Sequence, residues 1–144
     1  MRIRRSQIDA ISAHALEGYP FEVCGALLAA PSCRDGIEVR QAVRLRNRET
    51  DSPRVRYQID PADLLGLFRE AARDGLDVVG YYHSHPDHPA RPSETDRRRA
   101  AESISDGVVH LVVGVAGGAQ ATPSAWVFRD AAQAFEPEPL EVQD

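Results

Sequence analysis

The side chains best suited to chemistry lie together in Gly80-Tyr-Tyr-His-Ser-His-Pro-Asp-His-Pro-Ala-Arg-Pro-Ser-Glu-Thr-Asp96. Side chains alternate across a strand, so His83 and His85 project from one face while Ser84 points to the other. Two imidazoles held this way form a preset bidentate pair. Five histidines in a chain of this length would give such a pair by chance roughly one time in seven, so the pair alone decides nothing. Its place says more: it closes an apolar run, and a third hard donor, Asp96, follows eleven residues after His85. Two imidazoles and one carboxylate are the donor set of a catalytic zinc site whose fourth position stays open; a structural site would close it with cysteine. Asp87 and His88 are rival donors in the same loop, ranked lower because the flanking prolines place them in an irregular turn. Ser93-Glu-Thr-Asp96 also fits a helix capping box, in which serine and acid satisfy backbone donors and do no chemistry.

The elements around this segment follow from periodicity. Ile8, Ile11, Ala15 and Leu16 recur at helical spacing from Ser6 to about Gly18. Residues 24–30 form a short apolar run and 37–45 alternate, which predicts two strands joined by a turn over 32–36. A third strand is expected over Val55–Ile59. Asp60-Pro61 opens a helix with a capping acid and a first-turn proline; Leu64, Leu65, Phe68 and Ala72 face the core and Gly75 ends it. A strand over Asp77–His85, a proline-rich loop and a helix from Ser93 to about Ser105 complete the setting of the site. Strands over Val108–Val115 and Ala125–Arg129 follow, with a turn at Gly117-Gly118, and the Glu136-Pro-Glu-Pro tail reads as weakly structured. Strands and helices mix without regular βαβ alternation, which points to an α+β, layered architecture.

A chain of 144 residues is one domain by length and buries about two-thirds of its unfolded surface on folding. With 42% hydrophobic and 27% charged residues it is neither fibrous nor disordered. The longest apolar stretch, Val108–Ala116, is too short for a spanning helix, and no secretory signal opens the chain, so a cytoplasmic location is expected. Net charge is −5, which argues against nucleic acid as a partner. All 17 basic residues are arginine, and Arg97 to Arg99 read as the solvated face of the third helix. Cys24 and Cys33 lack metal or disulfide spacing and are expected to be free thiols. Hydrolysis by Cys24 with a histidine base is a further reading, but its place at the head of an apolar strand suits an inert, buried thiol.

The His83-x-His85 pair, the ten intervening residues and Asp96, with Pro86 after the second histidine and Ser93 three before the aspartate, resemble the JAMM (MPN-plus) zinc metalloprotease motif. Upstream, Glu22-Val-Cys-Gly25 followed by Ala-Leu-Leu-Ala is similar to the family's glutamate segment, where the acid precedes an apolar strand. The resemblance implies an α+β fold of the MPN/JAMM, cytidine-deaminase-like kind: a mixed β-sheet flanked by helices over residues 1–135, with 136–144 as a short tail. It implies one Zn2+ per chain held by His83, His85 and Asp96, Glu22 as the acid/base acting on water, and Ser93 as a donor to the oxyanion. Composition alone would not select Glu22 from ten glutamates. The implied reaction is hydrolysis of a peptide or isopeptide bond after the C-terminal Gly-Gly of a ubiquitin-like or sulfur-carrier protein. The chain has no room for the loops with which eukaryotic deubiquitinases grip ubiquitin, so a small β-grasp carrier with an extended tail is the expected partner. A phage-tail-type peptidase and a non-catalytic scaffold on the same fold are the alternatives.

Overall fold

The computed structural model describes residues 1–31, 36–103 and 105–144. Among them the order is β1 (Arg2–Arg4), α1 (Arg5–Gly18), β2 (Cys24–Ala29), β3 (Glu38–Leu45), α2 (Pro61–Arg73), β4 (Asp77–Pro86), α3 (Glu94–Ala101), β5 (Val109–Ala116), β6 (Gln120–Arg129), β7 (Ala134–Glu138) and β8 (Glu141–Gln143). The strands form one mixed sheet in the order β7-β6-β5-β4-β2-β3-β1-β8, with β4 and β5 parallel at its centre. This is the α+β class expected from the sequence. The turn expected over 32–36 and the thiol of Cys33 lie mostly outside the described residues. No helix among the described residues is long and apolar enough to cross a membrane.

Each face of the sheet carries its own core. On one face, Ile8, Ile11 and Ala15 of α1 meet Leu27, Tyr82, Leu111 and Val113; on the other, Leu67 and Ala71 of α2 meet Ala26 and Leu28. A bulge in β4 lets both cores draw on one strand. Leu27 pairs with Gly80 but Leu28 with Val78, so Val79 is the extra residue. It packs with Tyr82 on the α1 face, while Val78 and Tyr81 pack on the α2 face. From Tyr81 onward the alternation is regular, and His83 and His85 share the α2 face as their spacing requires. Gly25 lets β2 approach this strand: a Cβ there would lie 2.1 Å from the Tyr82 ring.

The buried stripe of α2 differs from the expected one. Leu67 and Ala71 are buried with Leu64 beside them, whereas Leu65 and Phe68 are 52% and 47% exposed. Both stripes have helical spacing, and the sheet covers only one. Val55–Ile59 is not a strand. Its backbone is tied instead by the Asn47 carboxamide, whose Oδ1 accepts from Gln58 N and whose Nδ2 donates to Arg56 O. The third helix is also shorter than expected, ending at Ala101. β6 starts earlier, at Gln120, because Ala116–Val112 offer it a complete antiparallel partner. Pro123 lies in the half of β6 that β7 leaves uncovered, an edge position where proline is tolerated. Finally, the segment read as a weakly structured tail supplies β7 and β8. The latter pairs parallel with β1, which the chain's first residues form.

Candidate active site

β4 carries the two histidines at the centre of the sheet, with His83 beside Cys24 of β2 and Val112 of β5, and His85 beside Gly114 of β5. Both are buried, at 1% and 6% exposure. Their Nε2 atoms are 3.0 Å apart, and Asp96 Oδ2 lies 3.3 Å from His83 Nε2 and 3.4 Å from His85 Nε2. The three donor atoms thus form a nearly equilateral triangle. Zinc bonds of about 2.0–2.2 Å put the donors of a tetrahedral site about 3.3–3.6 Å apart, so the donor set and its spacing fit a divalent ion. His85 Nδ1 donates to Pro89 O at 3.1 Å, which leaves Nε2 as the lone pair facing the triangle. His83 is oriented by stacking on Tyr57, with ring centroids 4.7 Å apart.

The capping reading of Ser93-x-x-Asp96 is realised, and the aspartate oxygen that completes the cap also faces the two histidines. Ser93 caps α3 and its Oγ accepts from Asp96 N, while Asp96 Oδ2 accepts from Ser93 N and from Ser93 Oγ, each at 2.7 Å. The same Oδ2 is the vertex of the triangle. Burial works against the Asp96 charge, yet the two imidazoles and the cap bonds hold its carboxyl well below the usual range. Burial lowers the pKa of His83. Burial also opposes the charge on His85, but Asp96, Glu22 and the bond to Pro89 O together outweigh it and hold that pKa above its ordinary value.

Glu22 faces the triangle from the end of α1's connection to β2, its Oε1 4.0 Å from His85 Nε2. Its backbone is clamped on both sides: Glu22 N donates to Pro53 O at 2.7 Å, and Asn47 Nδ2 donates to Glu22 O at 3.0 Å. Burial, at 6% exposure, pushes its carboxyl up to about 7. Residues that no motif or spacing singles out therefore hold the site together: Asn47 ties Glu22 to the 47–58 segment, and Tyr57 from that segment covers His83. Arg99, expected on a solvated face, donates to Tyr57 O and lies over its ring, fastening α3 to the same segment.

The rival donors lie apart from this triangle. Asp87, at φ 57°, accepts from Gly117 N and from Tyr19 OH and so anchors the loop. His88 lines a cleft near His85 but does not join the triangle. That loop crosses β5 at Gly114, where a Cβ would lie 3.0 Å from His88 O, and Trp126 Nε1 of β6 donates to Ala90 O. Cys24 is buried and its thiol pushed up to about 12 by burial, which removes the thiolate that nucleophilic attack needs.

Two clefts meet at the triangle. One, of about 390 Å³, is lined by Glu22, His85, Ser93, Arg56 and Arg91. The other, of about 450 Å³, runs between α2 and α3 past Asp96, Tyr57, Arg99 and His110. A His-His-Asp group able to hold a metal ion, an adjacent buried carboxylate and an open approach thus lie together on one face of the sheet.

Comparison with known proteins agrees. Residues 4–129 match the family described as prokaryotic homologs of the JAB domain, and the chain belongs to it. It is 36% identical over 135 residues to the desampylase of Haloferax volcanii, covering 89% of this chain and 91% of that protein. It is 38% identical over 101 residues to the CysO-cysteine peptidase of Mycobacterium tuberculosis, covering 69% of this chain and 65% of that protein. A JAB1/MPN domain protein from Archaeoglobus fulgidus superposes with a TM-score of 0.62 at 21% identity, covering 100% of both chains, which is a likeness of fold. The chain is thus a JAMM/MPN-type protein, and the proteins it resembles include ones named as a desampylase and a CysO-cysteine peptidase, and also the tail tip assembly protein K of Escherichia phage N15, 37% identical over 102 residues.

Proposed function

We propose that this protein is a zinc-dependent metallopeptidase that hydrolyses the peptide or isopeptide bond after the C-terminal Gly-Gly of a ubiquitin-like or sulfur-carrier protein. The observation that carries the reading is the triangle of His83, His85 and Asp96 with the Glu22 carboxylate 4.0 Å from His85. The names of the Haloferax and mycobacterial relatives support the substrate class. The reading includes a single catalytic domain, into whose sheet residues 136–144 are built as part of β7 and as β8, and action in the cytoplasm.

His83, His85 and Asp96 would hold the ion; bound there, it supplies a water of lowered pKa, near 7, and polarises a carbonyl oxygen. The remaining steps belong to the chain. Glu22 takes a proton from the attacking water and returns it to the departing nitrogen, so the C–N bond breaks to give a carboxylate and a free amine. Burial raises the Glu22 pKa, which makes its carboxylate a stronger proton acceptor than an exposed one. The Ser93 hydroxyl, which donates to Asp96 Oδ2 at 2.7 Å, turns about its Cβ–Oγ bond to donate to the substrate carbonyl oxygen as negative charge develops there. Burial of His83 and His85 excludes competing solvent from one side of the site.

Metal analysis combined with cleavage tests the reading. Purified protein should hold about one zinc per chain and shorten a carrier extended beyond Gly-Gly, as seen by intact mass. His85→Ala should lose the metal. Glu22→Gln should keep it while turnover falls by about 100-fold or more. Zinc-free protein at neutral pH, or equal turnover in Glu22→Gln, would sink the proposal.

A further inference from the structure

The two imidazoles of the triangle are held in different ways. His83 is stacked on Tyr57, and its buried Nδ1 has no hydrogen-bond partner among the described residues. His85 Nδ1 donates to Pro89 O at 3.1 Å, and the same oxygen accepts from Arg91 N at 2.8 Å. A proton kept on Nδ1 leaves the Nε2 lone pair for the ion, so the place of one carbonyl governs the tautomer and tilt of His85.

Proline offers no N–H, so Pro89 is placed by its neighbours in the loop between β4 and α3. Before it, Asp87 N donates to Val115 O at 2.7 Å. The Asp87 carboxylate accepts from Gly117 N through Oδ1 and from Tyr19 OH through Oδ2, each at 2.9 Å, which ties the loop to the β5–β6 turn and to the end of α1. After it, Trp126 Nε1 of β6 donates to Ala90 O at 3.1 Å. The loop backbone rests on the sheet between these ties: a Cβ at Gly114 of β5 would lie 3.0 Å from His88 O and 3.1 Å from Ala90 N. Asp87 also holds φ 57°, a left-handed conformation that few side chains other than Asn and Asp accept, and its hydrogen bonds offset the strain. The acid that the sequence offers as a rival ligand is thus an anchor on one side of Pro89, and the Trp126 indole is the anchor on the other.

We propose that Asp87 and Trp126 are positioning residues for the metal centre: by holding the loop on both sides of Pro89 they fix the carbonyl that orients His85, and so set the affinity of the site for a divalent ion. Neither belongs to the triangle itself. This rests on the metal centre of the peptidase reading above and adds the groups, on α1, the β5–β6 turn and β6, that keep one of its ligands in place.

Zinc affinity, measured by competition with a chelator of known affinity, tests this without a substrate. Asp87→Gly keeps the left-handed backbone accessible and removes both carboxylate bonds, while Trp126→Phe keeps an aromatic ring and removes the indole N–H. Each should weaken zinc binding about tenfold in protein that circular dichroism shows to be folded, the lower end of what the partners of a metal-bound histidine contribute. Asp87→Asn, whose Oδ1 still accepts from Gly117 N, should recover most of the affinity. Cobalt-loaded protein gives a second readout: its visible absorption band should move in Asp87→Gly and Trp126→Phe and return in Asp87→Asn. Unchanged zinc affinity in Asp87→Gly and Trp126→Phe would leave the peptidase reading standing and overturn this inference. So would equal losses in Asp87→Gly and Asp87→Asn, because the carboxylate would then act through its charge and not by holding the loop. Native protein that takes up no zinc would overturn the peptidase reading and this inference with it.

Discussion

Glu22 and Cys24 are two residues apart, are both buried, and have opposite prospects as reactive groups. Burial lifts each pKa, but it brings the carboxyl to about 7, inside the working range of a proton carrier, and the thiol to about 12, far outside it. Position decides the rest: Glu22 reaches His85, while Cys24 Sγ contacts Leu45 O and lies within the sheet. Native protein at pH 8 should therefore react with iodoacetamide at Cys24 only after urea unfolding, as peptide mapping by mass spectrometry would reveal. Rapid native labelling at Cys24, together with loss of activity, would return the thiol to the list of nucleophiles.

At the scale of elements, the N-terminus of α3 is where stability and chemistry share atoms. Ser93 caps the helix through Oγ, and the Asp96 oxygen that completes the box is the one turned to the histidines. Substitution at the cap separates the two roles. Alanine at an N-cap costs about 1 kcal/mol and glycine only a few tenths. Ser93→Gly should accordingly keep a near-normal urea midpoint while kcat falls by about 100-fold, the usual loss of one oxyanion donor. Metal content measured on the same sample separates a lost donor from a misplaced Asp96. A glycine variant with full kcat would confine Ser93 to the cap.

For the whole molecule, His110 shows what the fold accepts in order to open a cleft. It lies on β5 beside Tyr81 of β4, 9% exposed, with both ring nitrogens lacking a partner among the described residues. Burial pushes its pKa down to about 4 from an ordinary 6.5. The unfolded chain therefore takes up a proton at a higher pH than the folded one, and stability rises with pH between about 4 and 6.5. This contribution is complete above about 6.5, is lost as pH falls through about 4, and amounts to about 3 kcal/mol in all. Urea unfolding at pH 7.5, 6 and 5 should show a steeper loss for the native sequence than for His110→Leu. Parallel pH profiles would mean that the imidazole is not buried neutral.

Local chemistry and periodicity encode the alternation that puts His83 and His85 on one face, the Asp60-Pro61 helix start, the Ser93 cap and the amphipathic first helix. The resemblance of the motif then supplied Glu22, which no spacing rule could select. Which apolar stripe of α2 is buried is set by long-range packing, because the sheet offers the helix one face and leaves Phe68 to a cleft. Long-range contacts also decide that Val55–Ile59 hangs from Asn47, that the tail closes the sheet as β7 and β8, and that Tyr57 and Arg99 brace the site. These depend on partners distant in the chain, whose hydrogen bonds and burial outweigh the local preferences on which sequence reading rests.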